Sequence, residues 1–149
     1  MQLGAGGAEC VAVGSTALQD NTASQNTAVG SAALDANTTG LRNTGIGADC
    51  LTNNTTGESN VAVGRDAMFH NSTGSNNTAV GREALANNTT ASSNTGIGNY
   101  ALGANTTGTY NTAVGAYPLD ANTTGSYITG IGGGALGANT TADNNTAVG

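Results

Sequence analysis

Apolar residues in this chain recur neither at helical nor at simple alternating spacing; they return in fixed columns. Asn26-Thr-Ala-Val-Gly30 comes back as Asn43-Thr-Gly-Ile-Gly47, Asn60-Val-Ala-Val-Gly64, Asn77-Thr-Ala-Val-Gly81, Asn94-Thr-Gly-Ile-Gly98 and Asn111-Thr-Ala-Val-Gly115, with closing glycines 17 residues apart. With that Asn as position one, position four reads Val13, Val29, Ile46, Val63, Val80, Ile97, Val114, Ile131 and Val148. Position nine reads Leu18, Leu34, Leu51, Met68, Leu85, Leu102, Leu119 and Leu136. These two columns are the expected core. Position two, Thr in most units but Val11 and Val61 in two, is expected to face inward beside position four, because strand residues two apart share a face.

A period of this length marks a repeat architecture, in which each unit covers its apolar face with its neighbours. Positions four and nine do not make the i, i+3, i+4, i+7 stripe of a helix, and Gly, Thr and Asn are weak helix formers. Antiparallel hairpins are disfavoured, since no Asn-Gly or Asp-Gly dipeptide occurs. The pattern therefore predicts an all-β fold, a parallel β-solenoid of the β-roll or β-helix kind with 17-residue coils, about nine in number. Each coil would hold a strand over positions one to four, a bend at Gly, a second short strand over seven to nine, and a returning corner. At roughly 4.8 Å per coil the rod would be about 43 Å long.

Polar positions are as regular. Position twelve is always Asn: Asn21, Asn37, Asn54, Asn71, Asn88, Asn105, Asn122 and Asn139. Asn tolerates left-handed backbone and bonds its own turn, and stacked amides bond one another, so this column reads as a corner with a structural Asn ladder. The whole of residues 1–149 reads as one repeat domain, with a short first coil over 10–25, regular coils from 26, and incomplete coils at both ends. Open sheet edges template further chains. Leu3 and Ala5 at one end, and Asn145, Thr146, Ala147, Val148 and Gly149 at the other, are thus the expected assembly ends of a head-to-tail filament. Pro118, which cannot donate to a ladder, is expected to introduce a bulge.

Composition narrows the function. Only 37% of residues are apolar, many of them Ala, so a thin, elongated core is the one that fits. Charged residues make up 8% with a net charge of −6; three arginines without lysine argue against nucleic acid, and no run is long enough for membrane insertion. Cys10 and Cys50 occupy different repeat positions and are not expected to pair. His70, the single histidine, follows Phe69 at a corner and reads as solvated. No catalytic residue, cofactor or metal site is expected. Asp49, Asp66 and Glu83 stack at position seven beside Arg65 and Arg82, an arrangement expected of a solvated charged face. Tyr100 and Tyr117, and Tyr110 and Tyr127, fall one coil apart and are expected to stack.

The unit Asn-Thr-Ala-Val-Gly-x-x-Ala-Leu-x-x-Asn-Thr-Thr-Gly resembles the head repeats of trimeric autotransporter adhesins, which carry a similar Asn-Ser-Val-Ala-Ile-Gly strand, and repeats of phage tail-fibre-type proteins. The resemblance covers residues 3–149. It implies a left-handed parallel β-roll, often trimeric, outside the cell, on its surface or on a virion tail. The expected role is a structural, self-assembling segment of an extracellular fibre or surface adhesin, partnered by itself as filament or trimer, with a surface receptor or glycan as a further partner. The alternative is a binding module: corner pairs such as Thr38-Thr39 and Thr106-Thr107 form a hydroxyl array suited to ordering water or ice, and the Tyr pairs a strip suited to carbohydrate.

Overall fold

The structure, a computed structural model, describes residues 7–149. Its elements are nine three-residue strands: β1 (Val11–Val13), β2 (Thr27–Val29), β3 (Thr44–Ile46), β4 (Val61–Val63), β5 (Thr78–Val80), β6 (Thr95–Ile97), β7 (Thr112–Val114), β8 (Thr129–Ile131) and β9 (Thr146–Val148). They form one parallel sheet in sequence order, with no helix among the described residues. Register is fixed by the repeat: Thr27 lies beside Thr44, Ala28 beside Gly45 and Val29 beside Ile46, and the same offset continues up the sheet. This is the expected β-solenoid, one repeat unit per coil.

The two apolar columns part company. The position-nine side chains Leu18, Leu34, Leu51, Met68, Leu85, Leu102 and Leu119 are completely buried, and Leu136 packs partly buried at the end of the cluster. Position four is not core: Ile46, Ile97 and Ile131 remain 39–41% exposed, and Val29, Val63, Val80 and Val114 are only half-buried. Positions two and four do share a face, but it is the outer one. The strand's inward residue is position three, where Ala28, Ala62, Ala79 and Ala113 are fully buried. The reason is width. Each Leu reaches across the coil to the next strand, so that a Cβ added at Gly45 would already lie 3.4 Å from a Leu34 methyl carbon and one at Gly130 3.2 Å from Leu119 Cγ. The space opposite Leu accepts Ala or Gly, and a β-branched residue must point outward.

The expected second strand over positions seven to nine is absent. Those residues are turns in which alternate positions adopt left-handed backbone: Asp66 (φ 58°) and Met68 (φ 52°) in one coil, Glu83 (φ 56°) and Leu85 (φ 52°) in the next. Left-handed Leu costs roughly 1–2 kcal/mol relative to the right-handed form; burial of the side chain offsets this by ~1.5–3 kcal/mol. The turns still bond coil to coil: Leu51 N–H donates to the Ala67 carbonyl at 3.0 Å, and Asp66 N–H to that of Ala48 at 3.1 Å. Pro118 makes no bulge. Its counterparts at position eight, such as Ala84 and Ala101, donate only to the glycine carbonyl three residues back, so Pro118 forfeits a turn bond and no ladder bond. Its carbonyl accepts from Leu102 as usual.

Gly at position five is dictated by stacking. A Cβ at Gly81, whose φ is 133°, would stand 2.5 Å from the carbonyl oxygen of Gly98 in the next coil.

Amides fill the other half of the interior. The position-twelve column is buried, and each side chain donates to its counterpart one coil back: Asn54 to Asn37 at 2.7 Å, Asn71 to Asn54 at 2.7 Å, Asn88 to Asn71 at 2.9 Å. Asn139 ends this ladder in a partly buried bond to Asn122. Sequence reading missed a second ladder, formed by the position-one asparagines. Asn43, Asn60, Asn77, Asn94 and Asn111 are buried, and the Oδ1 of each accepts the backbone N–H of its counterpart one coil on. Both ladders share an acceptor: Asn43 and Asn54 donate to the Gly57 carbonyl at 2.7 and 3.0 Å. At Ile128 an apolar side chain, also fully buried, interrupts the second ladder. The short first coil loses its residue at the corner, where the Asn21 amide reaches a carbonyl two residues on instead of three.

Candidate functional site

The outer face of the sheet runs the length of the rod from β1 to β9. β1 to β9 display position two, Thr apart from Val11 and Val61, beside position four, always Val or Ile. Neither column contains a charge. Parallel register holds equivalent side chains one strand spacing apart along the rod, ~4.8 Å. The result is an apolar ridge flanked by hydroxyls. Val61 remains 38% exposed and Val148 75%.

The corner threonines behave differently. The first of each pair spends its hydroxyl on the next coil: Thr38 donates to the Thr55 carbonyl and Thr106 to that of Thr123, both at 3.0 Å. The second, as Thr39 and Thr107, is exposed, and only in the last pair, Thr140-Thr141, is the first exposed too. The expected hydroxyl array is thus halved.

Charged and aromatic residues gather at the turn after each strand. Arg65 pairs with the adjacent Asp66 at 3.0 Å, and Arg82 with the adjacent Glu83, so each cation serves its own coil. Arg42 bridges to Glu58 of the next coil at 2.8 Å. Tyr100 of the next coil foremost, and Arg82 beside it, hold the Glu83 carboxyl below its usual range, while Glu83 raises Tyr100. Tyr100 and Tyr117 stack with centroids 5.7 Å apart, Tyr110 and Tyr127 at 5.1 Å, as the spacing anticipates. His70 is exposed, its ring edge-on to Phe69 with centroids 4.7 Å apart. Between these turns lies a groove of about 270 Å³ lined by Asp66, Phe69, His70, Glu83, Asn87 and Tyr100. Sequence reading treated His70, the acids and Tyr100 separately; counting the register by coils brings them together.

Both cysteines are free thiols. Cys50 takes the place of a core Ala, and burial pushes its thiol up to about 12. Cys10 stands where other coils have the position-one Asn, its Sγ 3.3 Å from the Ala23 carbonyl. Of the expected assembly ends, Leu3 and Ala5 lie outside the described residues, while Asn145–Gly149 carry β9, an edge strand of the sheet. Searches against protein-family models, curated proteins and solved structures found no match.

Proposed function

We propose that this chain is a structural segment of an extracellular fibre, a rigid β-solenoid rod that packs flank to flank with copies of itself through the outer face of its sheet. One observation carries this reading: the Val/Ile column runs uninterrupted and partly exposed from Val13 to Val148. Monomeric proteins rarely leave a long contiguous apolar surface in water. Burying what remains exposed of each side chain is worth on the order of 1 kcal/mol, so nine in a row supply on the order of 10 kcal/mol. Association costs ~4–15 kcal/mol. The sum falls within that range, so pairing tightens with every coil added, as a fibre requires. The resemblance to adhesin heads and tail fibres supports the same role.

The test is sedimentation velocity over a concentration series, comparing the native chain with Val80→Lys/Ile97→Lys. The native chain is expected to associate and the double variant to stay monomeric with an unchanged circular dichroism spectrum. Association that survives both lysines overturns the lateral interface.

A further inference from the structure

In a repeat protein, departures from the repeat carry information. Position ten holds small or short residues in the neighbouring coils, Thr52, Ala86 and Gly103, but Phe69 in the fourth; position eleven holds Asn53, Asn87 and Ala104, but His70 in the fourth. Phe69 and His70 are the only phenylalanine and histidine of the chain, and two of its three arginines, Arg65 and Arg82, stand beside them in the fourth and fifth coils. The fold requires none of these residues at these positions, since the adjacent coils close without them. Phe69 and His70 line the groove described above, bounded by turns of three successive coils, and the two arginines pair with its two carboxylates.

The chemistry of the groove selects a class of ligand. Its two carboxylates are each matched by an adjacent arginine, so it presents no net charge to a ligand. Phe69 and Tyr100 supply apolar rings. The Asn87 amide donates to the Gly103 carbonyl at 2.8 Å, leaving its Oδ1 as an acceptor, and Asp66 keeps the carboxylate oxygen that Arg65 does not take. No three metal-ligating side chains converge among the described residues. A volume of about 270 Å³ falls below the ~300–1,000 Å³ of sites for drug-sized molecules. We infer that this groove binds a single neutral pyranose unit of a glycan, one aromatic ring lying against the apolar face of the sugar while Asp66 and Asn87 accept from its hydroxyls. Planar side chains that accept two hydroxyl bonds, beside an aromatic wall, match a molecule with one apolar face and a rim of donors. The site involves no side chain of the outer sheet face, so it stands or falls independently of flank-to-flank packing.

The test is a nuclear magnetic resonance titration of the full chain, in separate experiments, with glucose, galactose, N-acetylglucosamine and calcium chloride, following the His70 ring and the Asn87 side-chain amide. The comparison protein is Phe69→Ala/His70→Asn, which gives the fourth coil the Ala86-Asn87 pair of the fifth and is expected to fold with an unchanged Tm. At least one sugar is expected to shift the His70 and Asn87 resonances saturably, with a Kd on the order of millimolar, and to bind the variant at least tenfold more weakly. Absence of saturable shifts with all three sugars, equal binding by the variant, or a response to calcium alone overturns the proposal.

Discussion

Asn71 shows how much one side chain does in this fold. Its amide donates to Asn54 and to the Gly74 carbonyl, and its oxygen accepts from Asn88. Asn71→Ala strands the buried Asn54 oxygen and opens a void, at a combined cost of about 2–4 kcal/mol; the midpoint of denaturant unfolding measures it. Asp35 works the other way. One of its carboxylate oxygens is buried without a hydrogen-bond partner, and burial first, Asp20 second, raises its pKa above the ordinary 3.8. A raised carboxyl penalises the folded state at pH above its folded value, and the penalty fades as pH falls through that value. Asp35→Ala, which copies Ala86 at the same position, is expected to raise Tm at neutral pH, with a gain that disappears below pH 3.8. A constant gain across that range would contradict the assignment.

At the scale of the coil, inside and outside are set by which strand positions are small. Leu85 is fully buried and Val80 half-buried. Leu85→Ala is therefore expected to cost ~2–5 kcal/mol and Val80→Ala under ~1 kcal/mol, compared by thermal unfolding; similar losses would place both columns in the core. The period, parallel register and Asn corner were legible because each is a column of one residue type. The face of the strand was not. Val at position four looked like core because β-branched residues fill most buried strands, whereas here Ala79 and Gly96 mark the inside by being small. The position-one Asn ladder hid within the strand motif, where Asn26 or Asn60 reads as the start of a strand and not as a buried amide. The turns hid too, since nothing in Met68 or Leu85 announces left-handed backbone. The groove at Phe69 became visible only when residues 17 apart were brought side by side.

At the scale of the molecule, the coils from 26 onward repeat nearly the same interior bonds and the same outward Val or Ile, Ile128 being the one break in the Asn columns, so under the proposed lateral packing the contact between rods grows with length. Local departures such as Phe69 and His70 shape a groove at the turns and leave the register of the rod unchanged. The most direct measurement is small-angle X-ray scattering of the native chain over a concentration series. At low concentration the account predicts a single rod about 43 Å long, from nine coils at ~4.8 Å each. With rising concentration the cross-section should thicken while that length holds. A cross-section that stays that of one coil at every concentration, with the rod either unchanged or only lengthening, would contradict flank-to-flank packing through the outer sheet face.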